Sequence, residues 1–388
     1  MDTISFETLG VSPDLCRKLT ALGITEPTAV QQQVVPLLKE RAHVLFQSET
    51  GTGKTFAYLL PLVQQIDMEN PQVQLLIIAP THELASQIKS QVKLLTDIKT
   101  ALCIGGAPIK RQTEMLKEKP LIVIGGPARL LELIYLKKLK TAAVKAIVLD
   151  EADRLLVPEL RDETCTLIKS LPATVQLAAC SATISQKTER LIREALPVSD
   201  NGEQPLKTVL LPPEDVLRKR ITHIALYSEQ RDKPDTLRKL IAAVDPEKMM
   251  VFTARPDQVD QIVSRLSYKK IDCCGLHARS DKIQRKQALD KFRAGKCRIL
   301  ITSDLAARGL DITGITHIVQ MDLPTDDDFF IHRAGRTGRA GAAGYDIVIG
   351  DERELRHLAA VEKKLALTVY PRILYGGQLV APADLPEA

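Results

Sequence analysis

No Trp occurs in the 388 residues, and Phe and Tyr together supply the whole 4% of aromatics. Cores without many large rings must be filled by Leu, Ile, Val and Ala, which favours buried parallel strands and helices over a β-sandwich. Cysteine occurs seven times but never as C-x-x-C, and only Cys273 and Cys274 are adjacent. That spacing speaks against a zinc scaffold or disulfide framework and for small buried thiols in a reducing compartment. No apolar run approaches the ~18 residues a membrane span needs. The opening Met1-Asp2-Thr3-Ile4-Ser5-Phe6 lacks the basic flank and apolar stretch of a signal peptide. A cytoplasmic protein that does not engage the membrane is expected.

What is present is mixed in sign. The 53 basic and 48 acidic residues leave a net charge of +5. Met1 to Val216 holds 24 basic against 25 acidic residues, a net of −1, whereas Leu217 to Ala388 holds 29 against 23, a net of +6. Within the second half, Lys269 to Arg298 carries ten Lys or Arg and three Asp. Such a stretch reads either as a solvated helical face or as part of a phosphate-backbone footprint.

At ~150 residues per domain, the length predicts two or three domains. Short apolar runs recur, each followed by a turn signal and a longer helix-like stretch. In the first half they are Val44 to Phe46, Leu75 to Ala79, Ala101 to Ile104, Leu121 to Ile124, Ala146 to Leu149 and Leu177 to Cys180. In the second they are Thr222 to Tyr227, Met249 to Thr253, Ile271 to Cys274, Arg298 to Thr302, His317 to Met321 and Asp346 to Ile349. Runs of this kind predict parallel strands buried on both faces, joined by amphipathic crossovers such as Leu84, Ile88, Val92, Leu95. The polar, Gly- and Pro-rich stretch between the halves marks a boundary. The expectation is two α/β domains, 1–204 and 217–366, with a linker over 205–216 and a short tail over 367–388.

Ligands of open α/β sheets gather beyond the carboxyl ends of the strands, and the unusual polar clusters fall there. After Phe46 comes Ser48-Glu49-Thr50-Gly51-Thr52-Gly53-Lys54-Thr55. Its backbone N–H groups would close around phosphates, Lys54 would meet the outer phosphates, and Thr55 would ligate Mg²⁺. Ser48 stands where the strict pattern has Gly or Ala; the bland alternative is a Gly-rich turn. Asp150-Glu151-Ala152-Asp153 follows a strand, with Asp150 suited to Mg²⁺ and Glu151 to orienting a water. Ser181-Ala182-Thr183 offers two hydroxyls that could relay contacts. In the second half, Ser303-Asp304 leads to Arg308-Gly309-Leu310-Asp311, and His332-Arg333-Ala334-Gly335-Arg336-Thr337-Gly338-Arg339 follows. Three arginines at spacing three, separated by helix-weakening glycines, suit guanidiniums that reach a transition state's charge.

In this order and over nearly the whole chain, these motifs resemble the DEAD-box ATP-dependent RNA helicases. The resemblance implies two RecA-like parallel-sheet domains in tandem, ATP and Mg²⁺ as ligands, and RNA as partner. It adds a Q motif, in which Gln31 would read adenine's edge and Phe6 would pack on the base. Asp311 would bond the ribose, His332 would join the nucleotide site, and Arg336 and Arg339 would be arginine fingers. Asp153, Ser181 and Thr183 would couple the two ligands. RNA backbone would lie across Thr81, Gly105-Gly106, Arg129, Arg255, Arg285 and Ser303, without base readout. Departures fall on the RNA side. His82 replaces the usual Arg, Gly126-Pro127-Ala128-Arg129 replaces Thr-Pro-Gly-Arg, Phe330 replaces Tyr, Ser303 replaces Thr, and Lys282 replaces the Gln that usually precedes Arg285. The expected product is a monomeric core that couples hydrolysis to local unwinding or RNP remodelling. By analogy with small bacterial members, ribosomal precursor particles are candidate targets. A slow-turnover ATP-gated RNA clamp, a DNA translocase and a metabolic P-loop kinase are the rival readings.

Overall fold

The computed structural model describes residues 4–47, 53–181, 184–196, 205–210, 216–277, 279–307, 312–338 and 342–384. The chain divides into two compact units, Met1–Pro212 and Pro213–Ala388. The first is built on strands β1 (His43–Gln47), β2 (Leu75–Ile78), β3 (Thr100–Cys103), β4 (Ile122–Gly125), β5 (Ala146–Asp150), β6 (Gln176–Ser181) and β7 (Leu206–Val209). They pair in parallel in the order β3-β4-β2-β5-β6-β1-β7. Alternate residues of each strand feed two apolar clusters. Phe46, Ile77, Ile124 and Val148 belong to one, while Leu45, Ile78, Val123 and Leu149 belong to the other. Burial on both faces is why these strands read as unbroken apolar runs. Helix His82–Leu95 lays Leu84, Ile88, Val92 and Leu95 against the sheet, as its stripe predicts.

The second unit comprises β8 (Ile221–Tyr227), β9 (Met249–Thr253), β10 (Cys274–Leu276), β11 (Ile299–Ser303), β12 (His317–Gln320), β13 (Gly344–Gly350), β14 (Val369–Tyr375) and β15 (Gln378–Val380). Their order is β10-β11-β9-β12-β13-β8-β14-β15. Every pairing is parallel except the β14–β15 hairpin. Counted from the start of each unit, the first seven strands occupy the same positions in both sheets. Two RecA-like α/β domains in tandem result.

All twelve expected strands are present, with β10 displaced from Ile271–Cys274 to Cys274–Leu276. Three more were not foreseen. The segment read as a linker opens with β7, which pairs with β1 and moves the boundary to between Pro212 and Pro213. The segment read as a tail supplies β14, paired with β8, and β15. These strands lie at or near sheet edges, where one side meets water and no continuous apolar run is required. No helix among the described residues is long and apolar enough to cross a membrane.

Candidate nucleotide and nucleic-acid site

In the first unit, β1 delivers the chain to the Gly-rich turn, of which Ser48, Glu49, Thr50, Gly51 and Thr52 lie outside the described residues. The turn ends at Gly53, whose φ of +89° is a left-handed value that glycine adopts without strain. A Cβ there would also stand 2.6 Å from the Gln31 amide nitrogen. Helix Lys54–Val63 starts at once, bringing Lys54 and Thr55 to its N-terminus. Gln31 is buried at 1% exposure. Its Nε2 donates to the Gly53 carbonyl at 3.1 Å, and its Oε1 accepts from the Thr28 N–H at 2.9 Å. Its amide therefore fastens the segment after Thr28 to the end of the turn and keeps one hydrogen and one lone pair for a further partner.

Asp150 ends β5 with its carboxylate fully buried. Tyr58 Oη donates to Oδ2 at 2.8 Å, Cys180 Sγ donates to Oδ1 at 3.2 Å, and Lys54 Nζ lies 3.7 Å from Oδ1. Burial opposes the Lys54 charge, but the surrounding acids, Asp150 first, hold its pKa above the ordinary lysine value. The same burial and the same carboxylate push Tyr58 and Cys180 well above theirs, so both remain protonated donors. Glu151, 6% exposed, follows in the left-handed region at φ 58° and begins the short helix Ala152–Leu155. Asp153 on that helix accepts from Ser181 Oγ, at the end of β6, at 2.6 Å. Thr183 lies outside the described residues. A buried lysine, a hydroxyl-bearing helix N-terminus and a carboxylate pair thus converge at the ends of β1, β5 and β6. Hydroxyl and carboxylate oxygens at Thr55 and Asp150 are the donor set Mg²⁺ prefers, and each Asp150 oxygen has lone pairs beyond those engaged.

Phe6 departs from its expected place. At 4% exposure its ring joins the apolar cluster with Val11 and Leu15, so its faces are already covered.

The expected RNA residues of this unit follow three further strands, β3, β4 and β2, which lie together at the opposite side of the sheet from β7. Thr81 after β2 caps helix His82–Leu95 by accepting from the Leu84 N–H at 3.2 Å. His82 turns to Ser86, 3.1 Å away, as a local contact. Gly106 follows β3 at φ +76°. Arg129, after β4, donates to the Ala107 carbonyl at 2.9 Å and pairs with Glu132 at 2.9 Å. That bond ties the loops after β3 and β4 together. Gly125 permits their approach, since a Cβ there would stand 2.1 Å from the Cys103 carbonyl oxygen. Gly126 faces no such limit: a Cβ would meet only the Ala79 carbonyl, at 3.9 Å.

In the second unit, Arg255 follows β9 and opens helix Pro256–Tyr268, with its guanidinium 3.6 Å from Asp257. Ser303 ends β11, nearly buried. Arg285 donates to the Ala306 carbonyl at 2.9 Å, linking helix Lys282–Arg293 to the short helix Asp304–Ala307 beyond β11. His332 lies on helix Asp327–Ala334, and Arg336 follows that helix at 7% exposure. Asp311 and Arg339 lie outside the described residues. Of the three arginines read together, Arg333 does something else. At 3% exposure it grips Asp304 through two bonds of 2.6 Å, donates to Gln320 and to the Asp322 carbonyl, and lies over the Phe252 ring. Four internal hydrogen bonds hold its guanidinium inside the fold, which corrects the reading of all three as groups for a transition state.

Two parallel sheets of one strand order, the first with a buried lysine beside paired carboxylates at strand ends, define a tandem RecA-like nucleotide hydrolase. Residues 28–191 match the DEAD/DEAH box helicase family, and residues 232–341 match the helicase conserved C-terminal domain. The chain is 36% identical over 373 residues to the DEAD-box ATP-dependent RNA helicase CshC of Bacillus cereus, covering 95% of this chain and 94% of the relative. It is 35% identical over 362 residues to the probable ATP-dependent RNA helicase YfmL of Bacillus subtilis, covering 92% and 94%. The solved structure of S. cerevisiae Dbp5 bound to RNA and ADP BeF3 is similar at a TM-score of 0.83 and 27% identity, covering 95% of each chain. The chain belongs to the DEAD-box ATP-dependent RNA helicases and is an RNA-dependent ATPase.

Proposed function

We propose that this helicase binds RNA backbone across both units and couples ATP hydrolysis to local, non-processive duplex unwinding or RNP remodelling. The observation that carries the reading is the division of the first sheet's carboxyl edge. Nucleotide-type groups follow β1, β5 and β6, while Thr81, Gly106 and Arg129 follow β2, β3 and β4. In this reading Lys54 meets the outer phosphates, and Thr55 and Asp150 hold Mg²⁺, partly through water. The ion neutralises charge on the phosphates when bound. Glu151 orients the attacking water. Arg336 and Arg339 belong to the other unit, so their charge reaches the γ-phosphate only when the two units come together. RNA that touches Thr81, Gly106 and Arg129 of one unit and Arg255, Arg285 and Ser303 of the other favours that state by binding it better. The bond from Ser181 to Asp153 supports a link between the hydrolytic acids and the rest of the sheet edge. The RNA-bound state of Dbp5, a relative of similar fold, supports RNA as the ligand.

Gln31 carries the base preference. Its unused hydrogen and lone pair match the acceptor and donor of adenine N7 and N6, whereas guanine offers two acceptors there. Asp311 and His332 complete the nucleotide contacts in this reading, and Phe6 packs near the base only if its ring leaves the core. The chain acts as a monomer, and ribosomal precursor particles are the first RNA targets to test. The experiment is displacement of a short RNA strand from a duplex with ATP or GTP. Displacement with ATP, little with GTP, and weaker ATP binding by Gln31→Ala support the reading. Equal use of both nucleotides by the parent removes the role given to Gln31, and ATP hydrolysis without displacement favours the RNA clamp.

A further inference from the structure

Three polar side chains interrupt apolar strands of the second sheet and meet on one face. His223 of β8 and Asp346 of β13 are register partners. Asp346 also pairs with Ile318 of β12, two residues before Gln320, so all three project to the same side. Each is buried, at 0–2% exposure. His223 Nε2 lies 2.8 Å from the Leu217 carbonyl oxygen, and its Nδ1 lies 2.9 Å from Asp346 Oδ2. Gln320 Nε2 donates to Asp346 Oδ1 at 2.9 Å, and Gln320 Oε1 accepts from Arg333 Nη1 at 3.3 Å. With the Arg333–Asp304 pair at 2.6 Å, an unbroken polar chain runs from the entry of the second unit to its arginine segment.

The chain fixes a proton count. A backbone carbonyl and a carboxylate only accept, so a histidine bonded to both must donate from both nitrogens. The alternative, a protonated Asp346 donating to Nδ1, holds the same total. Charges then alternate along the chain as imidazolium, carboxylate, guanidinium and carboxylate, and none is buried without its opposite. Other charged groups around His223 leave this balance in place. Glu362 on helix Glu352–Leu365 accepts from the Val369 N–H at 2.8 Å. Arg218, beside Leu217, is exposed and donates to the Leu365 carbonyl. Asp327, on the helix that carries Phe330, pairs with Lys364. Strand β14 sets Val369 opposite His223. Burial alone would lower the His223 pKa, but Asp346, the Leu217 carbonyl and Glu362 raise it above the ordinary value.

We propose that His223, doubly protonated, acts with Asp346 and Gln320 as a buried relay that positions Arg333 and, through it, the segment bearing Arg336. The inference rests on the reading of Arg336 as a group for the γ-phosphate. The Arg336 N–H bonds to the Arg333 carbonyl at 3.1 Å, so the backbone that carries Arg336 follows the place of Arg333. His223, Asp346 and Gln320 are positioning residues and touch neither ligand.

The test uses the full chain. In the parent, the ¹⁵N resonances of the His223 ring, assigned through its contact with Phe330 at 5.9 Å, should show two bound protons at a pH where exposed histidines carry one. RNA-stimulated turnover should fall as pH rises through that titration, while RNA-independent turnover does not follow it. Asp346→Asn and Gln320→Met should each lower RNA-stimulated kcat about tenfold, the scale of one charge-assisted bond, with ATP KM unchanged. A neutral His223 ring at pH 7, or stimulation that ignores its titration, overturns the relay. So do folded Asp346→Asn and Gln320→Met variants with parental kcat; if neither folds, the parent's titration and pH profile decide. Arg336→Ala separates the two ideas: if it too leaves stimulation intact, the reading of Arg336 fails, whereas loss with Arg336→Ala alone defeats only the relay.

Discussion

Glu151 is held in a left-handed backbone conformation at φ 58°, which a non-glycine residue adopts at a cost of roughly 1–2 kcal/mol. The strained turn aims two successive carboxylates differently: Asp150 back among Lys54, Tyr58 and Cys180, and Glu151 onward at the head of the next helix. In the proposed reading Asp150 is given to Mg²⁺ and Glu151 orients the water. Glu151→Gln should keep ATP and RNA binding while phosphate release falls at least about a hundredfold; release at the parental rate would refute that assignment. Gly126 gives the opposite kind of case. Its backbone is extended at φ −85° and ψ 150°, it caps helix Pro127–Tyr135 without a side-chain bond, and a Cβ there is free of clashes. Nothing in the fold requires glycine. Gly126→Thr should add a capping hydroxyl worth a few tenths of a kcal/mol. It should also lower the RNA concentration that half-stimulates ATP hydrolysis; an unchanged value in an RNA titration would mean the hydroxyl contributes no contact.

Elements differ in how legibly the sequence announces them. Strands buried on both faces, such as β2 and β5, read directly from Leu75 to Ile78 and Ala146 to Leu149. Strand β14 does not, because Val-Tyr-Pro-Arg-Ile-Leu-Tyr is partly exposed, with Pro371 in the middle. Strand β7 is only four residues, with Lys207 turned to solvent. The nucleotide groups were legible because backbone chemistry forces them close in sequence: a turn, a lysine and a hydroxyl at one helix start. The relay was not, since its members sit 123 and 26 residues apart and meet only through strand register. Its traces were a histidine, a glutamine and an aspartate inside apolar strands. The relay gives the second unit a pH signature. A folded-state pKa above the unfolded value contributes stability that is complete below the unfolded pKa and is lost as pH rises through the folded one. His317, pushed down by burial to about 4, acts in the opposite sense, but its contribution rises only slightly between pH 6.5 and 8, over the tail of its unfolded titration. Denaturant unfolding of the second unit within the full chain should therefore show lower stability at pH 8 than at pH 6.5. His223→Gln should flatten the difference; an equal slope in the variant would assign the loss to other groups.

For the whole molecule, the repeated strand order accounts for the division of labour. Both sheets present loops at carboxyl ends in the same arrangement, yet only the first carries the Gly-rich turn and paired acids, and only the second carries Arg336 and Arg339. In the proposed reading hydrolysis needs groups from both units, which makes RNA, rather than ATP alone, the controlling ligand. An arginine brought to the transferring phosphate is worth about a thousandfold or more in rate. The direct measurement is steady-state ATP hydrolysis by the fragment Met1–Pro212 and by the full chain, each with and without single-stranded RNA, with ATP binding checked in both. The account predicts that both bind ATP and that RNA accelerates the full chain alone. A fragment that hydrolyses ATP as fast as the RNA-stimulated full chain would contradict it.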